Sequence, residues 1–297
     1  MGGALADAFP AAREVFEEVD DALGQRLARL ALEGPEADLT LTENAQPALM
    51  AVSLAAVRVI ESEGGFALTE KCSFVAGHSL GEYSALAAVG ALALTDTARL
   101  LRRRGLAMQQ AVPVGEGAMA ALLGIDLDAA RAVAAAAAKG DVCDIANDNA
   151  PGQVVISGAR EAVARAIEIA PEHGVRRCIE LPVSAPFHCT LMAPAADAMA
   201  EAMAETEIRP LGVPLVANVA AEAVTTPGEI RRMLVEQVTN MVRWRESVLY
   251  MRDNGVDTLV ELGGGKVLTG LARHIDREMT AFAVETPADV EALLKTI

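Results

Sequence analysis

The stretch FVAGHSLGEYSALAAVGAL, residues 74–92, constrains the fold more than any other part of the chain. A short apolar run ends in Gly77-His78-Ser79-Leu80-Gly81, and a helical pattern begins at once. A serine between two glycines where a buried strand turns into a helix is the pattern of a nucleophile elbow. The turn forces the serine into strained backbone geometry. Gly77 and Gly81 spare it side chains that would collide with the strand and the helix. Ser79 Oγ then projects into a cleft. The new helix offers free N–H groups and its positive end, which places the Leu80 amide to bind a developing oxyanion.

Further strands alternate with helices on both sides of this turn. Helical periodicity runs over residues 4–32 and 46–60, and again over 80–92 and 95–111. After the middle of the chain it returns over 189–206 and 227–253. Short apolar strands are expected at 72–78, 213–219 and 258–263, the last followed by Gly263-Gly264-Gly265 and the helical VLTGLARHI. This alternation implies a mostly parallel sheet covered on both faces. The middle reads differently. Strands at 118–125, 142–147, 153–158 and 175–183, with helices at 127–139 and 159–170, give the order βαββαβ of a ferredoxin-like unit. The expected architecture is therefore α/β. A hydrolase-like large domain spans 1–115 and 190–297, and a ferredoxin-like small domain spans 116–189.

The bulk numbers narrow the function. Apolar residues make up 52% of the 297, which excludes a disordered chain. A net charge of −16 argues against non-specific binding to nucleic acid or an anionic membrane surface. No apolar run is long enough to span a bilayer and no signal-peptide pattern opens the chain. Cys72, Cys143, Cys178 and Cys189 are scattered without CxxC or zinc spacing. They read as reduced thiols of a cytoplasmic protein, with no metal expected.

A serine nucleophile needs a base, and there are four histidines. His78 adjoins the serine, but successive residues at such a turn point apart, so packing is its expected role. His173 and His274 read as solvated surface residues. His188 lies in the proline-stiffened loop PVSAPFHC leaving the small domain, where a rigid segment can hold a base over a cleft. An α/β-hydrolase esterase shares GxSxG, and predicts an acidic triad member followed by a histidine near the C-terminus. His274 is the only candidate for it.

Taken in order, GHSLGEYSAL, RRRGLAMQQAVPVGEGAMAALLG, NAPGQVVISG, LPVSAPFHC, VRWRESVLYM and ELGGGKVLTGL carry a resemblance. The chain resembles the malonyl-CoA:acyl-carrier-protein transacylases of bacterial fatty acid synthesis. It is also similar to the acyltransferase domains of polyketide and animal fatty acid synthases, from about residue 1 to 285. The resemblance implies a ping-pong acyl transfer with no cofactor, from malonyl-CoA to the phosphopantetheine thiol of acyl carrier protein. Ser79 is then the acyl-carrying nucleophile and His188 its base. Arg104 matches the arginine that pairs with the malonyl carboxylate, as a guanidinium fork can do bidentately. Gln237 matches a glutamine whose backbone carbonyl orients the histidine, and Gln46 one near the pocket. Phe187 matches the bulky residue associated with malonyl over methylmalonyl choice. Arg102, Arg103, Lys266, Arg273 and Arg277 are the candidate cations for docking an acidic carrier protein. The implied state is a monomer.

One feature departs from the family pattern. Its members begin with a strand and a GQGSQ-type loop whose glutamine supplies a second oxyanion-hole amide. This chain opens at Met1-Gly2-Gly3-Ala4-Leu5, matching the segment just after that loop. A core strand and one oxyanion donor are thus expected to be absent, and an inactive carrier-binding module is the alternative that this raises. Loss of one such donor costs on the order of 10²–10³ in rate.

Overall fold

The computed structural model describes residues 1–297. The chain opens with α1 (Gly3–Ala8), α2 (Pro10–Leu23), α3 (Leu27–Glu33) and α4 (Glu36–Leu39). The single periodic run expected over 4–32 is therefore three helices. Gly24 stops α2 in the left-handed region at φ 58°, its N–H closing on the carbonyls of Asp20 and Asp21. The long helix α5 (Thr42–Gly64) follows, and most of its residues between Gln46 and Ile60 are buried. Strand β1 (Val75–Ala76), helix α6 (Gly81–Ala88) and helix α7 (Leu94–Ala111) complete the elbow region. The largest hydrophobic core lies around α5, with Met50, Leu54, Val59 and Ile60 meeting Leu5, Phe16, Leu86, Leu101 and Met108.

The middle of the chain forms β2 (Gly117–Leu123), α8 (Leu127–Ala138), β3 (Cys143–Ala150), β4 (Gln153–Ala159), α9 (Arg160–Ile169) and β5 (Arg177–Glu180). Its strands are antiparallel in the order β3-β4-β2-β5, the expected ferredoxin-like arrangement. Both helices lie over a separate core containing Leu122, Val133, Ile156 and Val163. Strand β3 runs on past residue 147 because two register shifts let it bend and continue to Ala150.

The chain then forms α10 (Ala193–Ala204), β6 (Leu215–Val216), β7 (Ala223–Val224), α11 (Pro227–Glu236) and α12 (Trp244–Asp253). It ends with β8 (Thr258–Leu262), α13 (Val267–Ile275), β9 (Thr280–Val284) and α14 (Pro287–Leu294). The expected continuous sheet of the large domain is present as two pieces. Strand β1 pairs parallel with β6, which pairs antiparallel with β7, and β8 pairs parallel with β9. Strands β7 and β9 and the helix α14 were not anticipated from the sequence. Neither was the break between α11 and α12. There Asn240 Nδ2 donates to Glu236 O at 2.7 Å, so a side chain satisfies the carbonyl that another helical turn would have used.

Three contacts join the two sheet systems where the site lies. Val242 pairs with the end of β3, its N–H reaching Ala146 O at 2.9 Å and its carbonyl accepting from Asp148 N at 3.0 Å. Arg245 grips the buried Asp148 carboxylate at 2.7 and 2.9 Å. Asp144 accepts from both the amide and the hydroxyl of Thr190, pinning the chain just beyond His188.

Helix α7 crosses α5 closely at Gly105, where an added Cβ would lie 2.4 Å from Glu43 Cα. This approach carries the neighbouring Arg104 inward. Gly105→Ala is expected to lower stability by about 1–3 kcal/mol through overpacking. In α13, Gly270 has open space around it, so Gly270→Ala is expected to raise stability by about 0.5–1 kcal/mol. Denaturant unfolding of the two variants checks both signs.

Candidate active site

Ser79 sits at φ 54°, in the left-handed region that non-glycine residues rarely adopt. The glycine that permits this turn is Gly77. A Cβ there would lie 1.9 Å from Gly81 O. Gly81 itself faces open space, which corrects the expectation that both glycines avoid a collision. Gly81 contributes its backbone to the contact and has no need of a missing side chain.

The strained peptide is held at both ends. Parallel pairing of Val75 with Leu215 and Ala76 with Val216 brings the ends of β1 and β6 side by side, with Asn218 just beyond β6. Asn218 Oδ1 accepts from Ser79 N at 2.8 Å, and its Nδ2 donates to Gly77 O at 2.7 Å. Gln237 Nε2 donates to Ser79 O at 3.0 Å. Leu80 N has no acceptor within the protein, since helical hydrogen bonding begins only with the residues after it. It remains a free donor beside Ser79 Oγ.

His188, also at positive φ (58°), reaches Ser79 Oγ with Nε2 at 2.8 Å. Its Nδ1 lies 2.8 Å from Gln237 O. A carbonyl can only accept, so the proton belongs on Nδ1 and the Nε2 lone pair faces the serine. Gln237 is the C-terminal cap of α11, and the break between the helices is what leaves its carbonyl free for the imidazole. Burial, and then the Arg104 charge, push the His188 pKa down to about 3.

Arg104 is the bulkiest fully buried side chain of the protein, 1% exposed. Its guanidinium donates to Gln46 Oε1 at 2.7 Å, to Gln237 Oε1 at 2.8 Å and to Ser79 Oγ at 3.2 Å. Its Nε has no acceptor, and it forms a salt bridge with no carboxylate. Burial weighs against its charge. Such a group is costly unless something anionic joins it.

The structure thus brings Ser79, His188, Arg104, Gln46 and Gln237 into one cluster, with the Leu80 amide at its edge. Phe187 lies beside it, packed where the main core meets the face of the small sheet that carries Met119 and Val155. His78 turns away to Asn149 Oδ1 at 2.9 Å and the Trp244 ring. His173 and His274 are exposed. Arg102 is engaged by Glu43 and Asn44, and Arg103 by Glu201. Of the candidate docking cations, Lys266, Arg273 and Arg277 remain exposed and free of salt bridges. Two site residues escaped the sequence reading. Asn218 was visible as the one polar residue in the expected apolar strand VPLVANV. Glu82 was visible as the one acid on the helix of small residues that follows the elbow.

This geometry can be set against known proteins. The chain matches the acyl transferase domain over residues 1–280. It belongs to the acyl transferase family. The malonyl CoA-acyl carrier protein transacylase of Bacillus subtilis is 43% identical over 298 residues, covering 100% of this chain and 92% of that one. The crystal structure of the acyl-carrier-protein-S-malonyltransferase from Bartonella henselae superposes with a TM-score of 0.97 at 53% identity, covering 100% of this chain and 94% of that one. A type II PKS acyl-carrier protein in complex with its malonyl-transacylase gives 0.96 at 41% identity, covering 100% and 95%. No helix of this acyl transferase is long and apolar enough to cross a membrane.

Glu82 is 1% exposed, and burial raises its carboxyl to about 7 from an ordinary value of 4.5. Between those values the folded protein binds more protons than the unfolded chain. This group's contribution therefore falls as pH rises across the window. At about 1.4 kcal/mol per pH unit the loss is on the order of 3 kcal/mol. Glu82→Gln removes it. The stability of that variant relative to the native protein should shift in the variant's favour by that amount between pH 4.5 and 8, as read by unfolding in denaturant. A difference independent of pH would contradict the burial of a titrating carboxyl.

Proposed function

We propose that this chain moves a malonyl group from malonyl-CoA to the phosphopantetheine thiol of acyl carrier protein, through an ester on Ser79. The observation that carries the reading is a buried guanidinium with no carboxylate of its own, 3.2 Å from a serine that is hydrogen-bonded to a neutral histidine. The carboxylate that distinguishes malonyl from acetyl satisfies Arg104 and sets the thioester over Ser79.

His188 Nε2 takes the Ser79 proton as Oγ attacks the thioester carbonyl. The oxyanion rests on the Leu80 amide at the start of α6. As the intermediate collapses the C–S bond breaks, the proton passes from His188 to the departing coenzyme A sulfur, and malonyl-Ser79 remains. The carrier thiol then gives its proton to His188 and attacks the ester. The same proton returns to Ser79 Oγ as the ester bond breaks. The Gln237 carbonyl orients the imidazole and stabilises its charged form without adding a full negative charge. Phe187, directly before the base, crowds an α-methyl on the acyl chain, a discrimination of about 1–3 kcal/mol. No cofactor enters any step. Lys266, Arg273 and Arg277 supply the positive surface for an acidic carrier protein. The four free cysteines fit a reducing, cytoplasmic setting.

The esterase reading is disfavoured by the partner of the base. The histidine that reaches Ser79 is held by a backbone carbonyl, and His274 is on the surface.

Intact mass of the protein after mixing with malonyl-CoA tests the proposal. One malonyl group is expected on the native chain and none on Ser79→Ala, and phosphopantetheinylated acyl carrier protein should discharge it. No adduct on the native chain, with carrier protein still bound, would instead favour a binding module. Because His188 stays neutral far below an ordinary histidine, the acid limb set by the base should fall well below pH 6.5 in a profile of serine acylation.

A further inference from the structure

The buried acids of this protein are Glu82 and Asp148. Asp148 is neutralised by Arg245. Glu82 has no cationic partner within salt-bridge distance, and the reaction above does not use it. Its carboxylate accepts from Asn218 N at 3.4 Å and, more closely, from Gln237 Nε2.

The second of these hydrogen bonds matters because a glutamine amide has two unlike ends. Gln237 Nε2 faces only acceptors: the Glu82 carboxylate, Ser79 O at 3.0 Å and Asn218 Oδ1 at 3.4 Å. Its Oε1 faces only a donor, Arg104 Nη2 at 2.8 Å. Turning the amide over would set a donor against the guanidinium and an oxygen against three oxygens. Glu82 is the carboxyl of that acceptor set, and once ionised, above about pH 7, it is the strongest acceptor that Gln237 Nε2 faces. It lies at the third position after Ser79, on the first turn of α6, so the fold fixes it relative to the elbow.

We infer that Glu82 is a positioning residue, which by accepting from the Gln237 amide keeps Gln237 Oε1 on Arg104 and so sets this acyl transferase's preference for acyl groups that carry a free carboxylate. The inference rests on the malonyl-transfer reading above. A glutamine at position 82 has to turn its own NH2 toward either Gln237 Nε2 or Asn218 N, both donors. Facing Gln237 Nε2, that NH2 removes the amide's anchor; facing Asn218 N, it leaves Gln237 a neutral amide oxygen in place of the carboxylate, and in both cases Arg104's acceptor is held less firmly. A role in folding alone would lower malonyl and acetyl transfer together. A role through Arg104 lowers malonyl transfer selectively.

The experiment compares kcat/KM for serine acylation by malonyl-CoA and by acetyl-CoA in the native protein, Glu82→Gln, Gln237→Met and the double variant. Gln237→Met keeps the backbone carbonyl on His188 and removes both ends of the amide. The malonyl-to-acetyl ratio should fall about tenfold or more in Glu82→Gln, the scale of a hydrogen bond to a charged group. It should also fall in Gln237→Met, with no further fall in the double variant, because the two act in series. A ratio within twofold of native in Glu82→Gln, or additive losses in the double variant, would overturn the inference. If Glu82→Gln does not fold, Glu82→Asp carries the same test. It keeps the carboxyl but draws the acceptor away from Gln237 Nε2 by one methylene, and a native ratio in that variant would likewise overturn the inference. A native protein that forms no malonyl-serine at all would overturn the malonyl reading, and this inference with it.

Discussion

The site depends on one strained peptide unit. Ser79 holds a left-handed backbone conformation that costs on the order of 1–3 kcal/mol, and three separate parts of the chain keep it there. Gly77 allows the backbone to approach that of Gly81. Asn218 ties the Ser79 amide to the Gly77 carbonyl across the β1–β6 pair, and Gln237 holds the Ser79 carbonyl from the end of α11. The same conformation aims Oγ at His188 and leaves the Leu80 amide unpaired. Strain, the aim of Ser79 Oγ at His188 and the free Leu80 amide are therefore one feature of the backbone.

Arg104 gives the site its chemical bias. Packing of α7 on α5 at Gly105 drives a guanidinium out of water, and the protein offers it the neutral oxygens of Gln46, Gln237 and Ser79 and the face of the Tyr83 ring, with no carboxylate in salt-bridge contact. Neutral oxygens and an aromatic face orient the cation without forming an ion pair with it, so an anionic ligand can still pair with it directly. Burial, and then this same positive charge, disfavour the protonated form of His188. Burial thus acts on His188 and on Arg104 together.

The elbow and the ferredoxin-like unit were legible in the sequence because each rests on local pattern; local pattern only singled out the His188 loop, and the part given to His188 came through resemblance. Gly77-His78-Ser79-Leu80-Gly81 encodes its own turn, Pro182 and Pro186 stiffen the His188 loop, and hydrophobic periodicity changes at the small domain. Position along the chain said nothing about which polar groups meet. Gln46, Arg104 and Gln237 were placed together through resemblance, and only the fold shows that the Gln237 carbonyl is free because α11 ends there. Asn218 and Glu82 were missed because their partners lie far along the chain. Asn218 reaches Ser79 across 139 positions, and Gln237 reaches Glu82 across 155. The helix breaks at Gly24 and at 237–243 were blurred because apolar spacing continues through them. The short strands β7 and β9 have their pairing set by distant neighbours.

The central claim is that the unpaired charge of buried Arg104 selects the acyl group. Its most direct test is kcat/KM of Arg104→Ala against the native protein, for malonyl-CoA and acetyl-CoA side by side. Malonyl transfer should fall by about tenfold to a hundredfold or more, the scale of a lost charge-assisted hydrogen bond, while acetyl transfer holds or rises. Equal losses on both substrates would mean that Arg104 serves only to hold the serine and its surroundings, and would contradict the account.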